Sequence, residues 1–277
     1  MRYFHILTLL IAFISAGPVR AQLAPLEQLH EFVSPERFPN EDWREARDRQ
    51  MPEAFEYEAF AGRTVEQVDV PYREGMDTSA IPEWTKSLNE LERALHTVRD
   101  EREYSHRRDP SFARRAPWLY LFDGCFVRAS HVSRSLTEKG EPAPGRIFIF
   151  GKFKMKTQYS RRDWAYWWYH VASAYRHHGK TYVLDPSVEP RHPLLLDDWV
   201  KKLATRGRET RISFCDSLAY LPFHVCQGGR PNQERSFDYH MNKFLDLEWR
   251  EVKNAGADPE KVLGDEPPWG LGPNLSP

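Results

Sequence analysis

Two runs rich in aromatic and β-branched residues, Trp164 to Tyr175 and Lys180 to Asp185, flank the polar triplet His177-His178-Gly179. Period-two patterning on either side of a glycine-containing turn predicts an antiparallel hairpin. With a two-residue turn at His178-Gly179, Ala172 lies opposite Asp185 and His170 opposite Ser187. His170 and Asp185 are then diagonal neighbours on one face. Such neighbours sit roughly 7 to 8 Å apart at the backbone, a gap that two side chains close with a hydrogen bond. A four-residue turn keeps this parity, whereas an unbulged three-residue turn sends the two side chains to opposite faces.

A second constraint comes from Trp118-Leu-Tyr-Leu-Phe-Asp-Gly-Cys, a strand-like stretch that breaks at Asp123-Gly124 and gives way to an amphipathic pattern beginning at Cys125. Cys125, Ala129, Val132 and Leu136 share one stripe, so the predicted helix turns its first residue inward, towards a sheet. A thiol at a helix N-terminus faces unpaired N-H groups and partial positive charge, which favour thiolate. Gly140 to Gly145 ends the helix, and Arg146 to Phe153 reads as a strand.

Elsewhere the patterning predicts a short helix from Glu41, an alternating strand over Thr64 to Val70, and a helix opening near Ile81 with Pro82 in its first turn. Further helices are expected from Leu196 and around Phe237 to Val252. The sum is an α+β fold in which an antiparallel sheet carries His170 and Asp185 and packs against the Cys125 helix.

The chain of 277 residues opens with Met-Arg, an apolar run from Phe4 to Ala16 and short residues before Gln22, read as a cleaved signal peptide over residues 1–21. The run is shorter than the roughly 20 residues of a membrane span. The expected mature protein is soluble, and secreted or periplasmic. Cys215 and Cys226 are spaced to close a small loop by a disulfide, leaving Cys125 free in an oxidising compartment. A net charge of -1 gives no electrostatic reason to expect nucleic acid. The arginines at 107, 108, 114 and 115 read as a solvated loop, and the glycine- and proline-rich segment 264–277 as a flexible tail.

A thiolate that attacks a carbonyl carbon needs a histidine to move its proton and an acid to orient that histidine. Cys125, His170 and Asp185 supply these types in that order. Singly each has a plainer reading: a small buried thiol, a core histidine, a turn aspartate. No His-Glu-x-x-His or paired Cys-x-x-Cys suggests a metal, no phosphate loop or Gly-x-Ser-x-Gly elbow occurs, and no cofactor is expected.

Asp123-Gly-Cys-Phe-Val-Arg-Ala-Ser-His, Trp168-Tyr-His-Val-Ala and Val183-Leu-Asp-Pro-Ser, in that order, resemble the motifs of the bacterial protein-glutaminases. The similarity extends softly to Ile81-Pro-Glu, Phe150-Gly-Lys-Phe-Lys, the Trp199 helix and Ser213-Phe-Cys215. It implies an exported enzyme with a transglutaminase- or papain-like core that deamidates glutamine side chains in proteins through a Cys-His-Asp triad matching Cys125, His170 and Asp185. It also implies an inhibitory pro-segment where residues 22–78 stand, ahead of a catalytic domain over 79–263. Implied partners are protein or peptide substrates with exposed glutamine, for a monomer without metal or cofactor. Trp167, Trp168 and Tyr169 are candidate walls for the glutamine arm. A transglutaminase, a cysteine peptidase and a non-catalytic exported binding protein remain as alternatives.

Overall fold

The computed structural model describes residues 34–50, 63–106, 109–204, 209–229 and 237–272. The expected signal segment 1–21, the pair at 107–108 and the last residues 273–277 lie outside them. In chain order come helix α1 (Trp43–Gln50), strand β1 (Val70–Pro71), helix α2 (Leu88–Asp100), and strands β2 (Tyr104–His106) and β3 (Asp109–Arg114). Helix α3 (Cys125–Glu138) leads into strands β4 (Gly145–Lys156), β5 (Trp164–His177), β6 (Lys180–Leu184) and β7 (Leu194–Leu195). Helix α4 (Leu196–Leu203), strand β8 (Arg211–Cys215), and helices α5 (Phe237–Asn254) and α6 (Pro259–Leu263) complete the order. Strands β1-β8-β4-β5-β6-β7 form one antiparallel sheet, and β2 pairs with β3.

The β5–β6 hairpin has the expected register, with His177 opposite Lys180 and Ser173 opposite Leu184. His178 and Gly179 both take positive φ, 49° and 75°, as a type I′ turn requires to match the twist of its strands. In β4 the pairing slips between Phe150 and Phe153, with Gly151 at φ 154°. This bulge places Phe150 and Phe153 opposite Tyr169 and Trp167, two residues apart on β5, so both phenylalanines turn to one face and are buried.

Helix α3 lies against β5, where the Ser173 hydroxyl donates to Ala129 O at 2.9 Å. The stripe expected to face inward is buried, and so is most of the rest of α3, because α2 and α5 cover its outer sides.

Four local expectations give way. Helix α2 starts at Leu88 rather than near Ile81, because Ser87 and Glu90 form a reciprocal capping box. The preceding residues instead run alongside β5, with Trp84 N donating to Arg176 O and Arg176 N to Pro82 O. Thr64 to Val70 folds as a 3-10 turn over Glu66–Val68, because Val65 N and Glu66 N are taken by His224 O and Pro222 O. Trp118 to Phe122 forms no strand; its polar groups go to side chains, with Leu119 N donating to Glu248 Oε1 at 2.7 Å and Arg128 Nη1 to Tyr120 O at 2.7 Å. Arg114 and Arg115 are buried rather than solvated: Arg114 pairs with Glu248, and Arg115 donates to the carbonyls of Leu263 and Gly264.

The C-terminal segment is likewise docked as far as Gly272. Trp269 Nε1 and Gly272 N both donate to the buried Asp100 carboxylate, at 3.0 and 2.9 Å. A buried carboxylate needs such donors, and the neighbouring Arg99 supplies the balancing charge.

Candidate active site

Asp123-Gly124 ends the irregular loop because Gly124 adopts φ 79°, a left-handed conformation open to glycine at little cost. A Cβ at this position would meet the Phe244 ring at 2.8 Å, so space as well as conformation selects glycine. The next residue, Cys125, is the first of α3 and is only 2% exposed. Arg128 fixes the approach loop by donating to the carbonyls of Pro117, Tyr120 and Asp123.

The Cys125 thiol meets the backbone N-H of Val171 and the hydroxyl of Tyr169, the residues on either side of His170. Burial pushes the thiol up to about 12, against the modest opposing charge of Arg128. The expected lowering by the helix N-terminus is therefore overturned: removing the sulfur from water costs more than partial charges return. Asp123, half-buried beside it, is pushed up to about 7, chiefly by loss of solvent around its carboxyl.

On β5 the His170 ring stacks on Trp167 with centroids 4.7 Å apart and leans on Trp199 of α4. Its Nε2 lies 2.7 Å from Asp185 Oδ2, so the diagonal contact expected from the turn is made. The carboxylate also accepts from Ser187 Oγ at 2.5 Å and Trp199 Nε1 at 3.0 Å. Burial acts to raise the Asp185 carboxyl, but His170, Ser187 and Trp199 outweigh it and hold the group below its ordinary range.

An ionised carboxylate only accepts, so Nε2 is the donor and, in the neutral ring, Nδ1 keeps its lone pair. That Nδ1 is buried and has no hydrogen-bond partner among the described residues. His170 and Asp185 are therefore brought together, while Cys125 stands beside the same stretch of β5 without a thiol–imidazole hydrogen bond.

The sequence reading missed Trp199 and Ser187 as partners of Asp185. Ser187 follows the aspartate by two residues in Asp-Pro-Ser, a spacing that suits a side-chain turn contact. Nothing local to Trp199 signals its role. Trp167, Trp168 and Tyr169 are buried, so they form packing around the site rather than open walls.

Cys215 and Cys226 are joined in a disulfide and Cys125 is free. Among the described residues Glu101, Glu103 and His131 stand close enough to share an ion. Lys139 already neutralises Glu101 at 2.6 Å, however, and Tyr104 Oη occupies His131 Nδ1 at 2.9 Å. No helix among the described residues is long and apolar enough to cross a membrane.

Residues 98–203 match the family model described as glutaminase. This interval contains Cys125, His170 and Asp185 and the three motifs on which the resemblance rests, and it bears that resemblance out. No curated protein matches the chain. Among solved structures, that of protein-glutaminase from Chryseobacterium proteolyticum is 17% identical, covers 66% of this chain and 97% of that one, and has a TM-score of 0.45. A second protein-glutaminase structure is 16% identical over 72% of this chain and 95% of that one, at a TM-score of 0.39. A mutant pro-protein-glutaminase is 17% identical, with a TM-score of 0.40, and the alignment spans 53% of each chain.

Proposed function

We propose that this chain is an exported protein-glutamine deamidase with a transglutaminase-like core, acting through Cys125, His170 and Asp185. The observation that carries the reading is a buried His170 Nδ1 without a partner among the described residues, on a ring fixed by Asp185 at its other nitrogen and adjacent in the chain to the residues that meet Cys125. It lies inside the interval that matches the glutaminase family.

In the reaction, Nδ1 takes the Cys125 proton and the thiolate adds to the carboxamide carbon of a glutamine side chain. The unpaired N-H groups of the first turn of α3 face the resulting oxyanion. The protonated His170 then gives its proton to the departing ammonia. A water molecule deprotonated by the same nitrogen hydrolyses the γ-glutamyl thioester, leaving glutamate and the free thiol. Asp185 holds the ring and stabilises the imidazolium without itself accepting a proton. Admission of an amine instead of water at the last step would make the same machinery a transglutaminase.

Residues 22–78 act as a pro-segment in this reading. Support comes from Ser34 to Arg37, which lies against β5 through an isolated antiparallel bridge: Arg37 N donates to Tyr166 O, Trp168 N to Pro35 O and Trp168 Nε1 to Ser34 O. The Ser34 side chain also reaches Asp123, two residues before the thiol. A buried, protonated Cys125 suits a latent form. The disulfide suits an oxidising compartment.

The test is ammonia release from an unfolded glutamine-rich protein, with and without proteolytic removal of the N-terminal segment, beside Cys125→Ala. Ammonia with a mass gain of about 1 Da per converted glutamine, reduced at least about 1,000-fold in the variant, is the expected result. Crosslinked products would select transglutamination, and peptide fragments without ammonia would select proteolysis.

A further inference from the structure

Beside the His170–Asp185 pair lies an open cavity of about 470 Å3, within the range of about 300 to 1,000 Å3 typical of ligand sites. One of its lining residues reaches the pair directly and a second reaches it through Trp167. Ser187 donates to Asp185, and Leu121 O accepts from Trp167 Nε1, whose ring stacks on His170. The opposite wall comes from the docked C-terminal segment, through Pro268 and Trp269.

The charge in this groove is one-sided. Its charged lining residues are Lys156, at the end of β4, and Arg191, beyond Asp185, and both are exposed. Neither side chain has an acidic partner among the described residues. Glu189, two residues before Arg191, pairs with Lys202, and Asp265, close in the chain to the tail wall, pairs with Arg102. The remaining lining is largely apolar or neutral, with Trp118, Met155, Val188 and Pro190 among it. Two unpaired cations over an apolar floor match an extended segment whose apolar side chains pack down while its carboxylates meet the rim.

We infer that this groove holds the substrate polypeptide beside the reacting glutamine and selects segments with acidic neighbours, through Lys156 and Arg191. The inference rests on the deamidase reading and adds a sequence preference to it. Trp269 makes the C-terminal segment part of the binding surface, so the segment's docking onto Asp100 serves recognition as well as folding.

The test uses two synthetic peptides with a central glutamine, one flanked by glutamates and the other by lysines. Binding to full-length Cys125→Ala protein is followed by fluorescence anisotropy, and ammonia release by the unmodified protein is followed after proteolytic activation. The acidic peptide should bind about tenfold more tightly at low salt, within what two exposed ion pairs supply, with the gap closing as salt rises. The double variant Lys156→Glu, Arg191→Glu should reverse the order, and Trp269→Ala should weaken both peptides alike.

In the kinetic arm the preference should lie in KM rather than kcat. Equal binding of the two peptides, or a preference unchanged by the charge reversal, overturns the inference. Charge-dependent binding without ammonia from either peptide sustains the groove and removes the deamidase reading, so the two failures are distinct.

Discussion

The strand-borne and helix-borne halves of the site are in different states of readiness. On β5 and β6, His170 and Asp185 are already in contact, with Trp199 and Ser187 completing the carboxylate and Trp167 holding the ring. At the start of α3, Cys125 is buried, with its thiol pushed up by that burial, and is not hydrogen-bonded to His170. In the proposed mechanism, the difference teaches that orientation of the base is built into the sheet, whereas access to the nucleophile depends on what lies over it. The segment Ser34 to Arg37 runs along β5 at Tyr166 to Trp168, and the Ser34 side chain reaches Asp123, two residues before the thiol.

The comparison is broken most severely by Asp185→Asn. The amide offers a donor as well as an acceptor, so His170 can turn to the wrong tautomer, and ammonia release should fall by about 1,000-fold while Cys125 keeps its burial. The same variant has a signature in stability. Because the folded Asp185 carboxyl lies below its ordinary value, the stability it contributes is complete above the unfolded-chain value of about 3.9 and is lost as pH falls through the lowered folded value. Acid unfolding monitored by circular dichroism should therefore show a weaker dependence on pH below about 4 in Asp185→Asn than in the parent.

Gly124→Ala probes the helix-borne half. The positive φ and the contact with the Phe244 ring should cost about 1 to 3 kcal/mol in chemical denaturation and displace the thiol, with activity falling further than stability alone accounts for. The smallest effect belongs to Trp199→Phe. It keeps the ring against His170 and removes one hydrogen bond to Asp185, so kcat should drop by about tenfold or less with KM unchanged.

How much of this was legible in the sequence follows from the range of each interaction. The hairpin register could be read because His178-Gly179 imposes it locally, and the parity of β5 and β6 then placed His170 beside Asp185. Cys125 at a helix start was equally local, carried by Asp123-Gly124. What could not be read is what distant segments contribute. Trp199 reaches Asp185 from another helix, and Glu248 replaces a strand partner for Leu119. Asp100 captures Trp269 and Gly272 from far along the chain, turning an apparently flexible tail into a wall. The arginines at 114 and 115 misled for the same reason: their partners lie on and just beyond α5 and α6. The sign of the Cys125 shift was misjudged because a helix N-terminus is visible in sequence and the burial that opposes it is not.

The most direct test of a ready base and a withheld nucleophile is the rate of Cys125 alkylation by iodoacetamide between pH 6 and 8, mapped by mass spectrometry before and after proteolytic removal of residues ahead of 79. The account predicts an almost unreactive thiol in the intact chain, and alkylation at least about tenfold faster after removal, the increase being lost in His170→Ala. A thiol that reacts equally fast in both forms, or whose exposed reactivity is indifferent to His170, would contradict it.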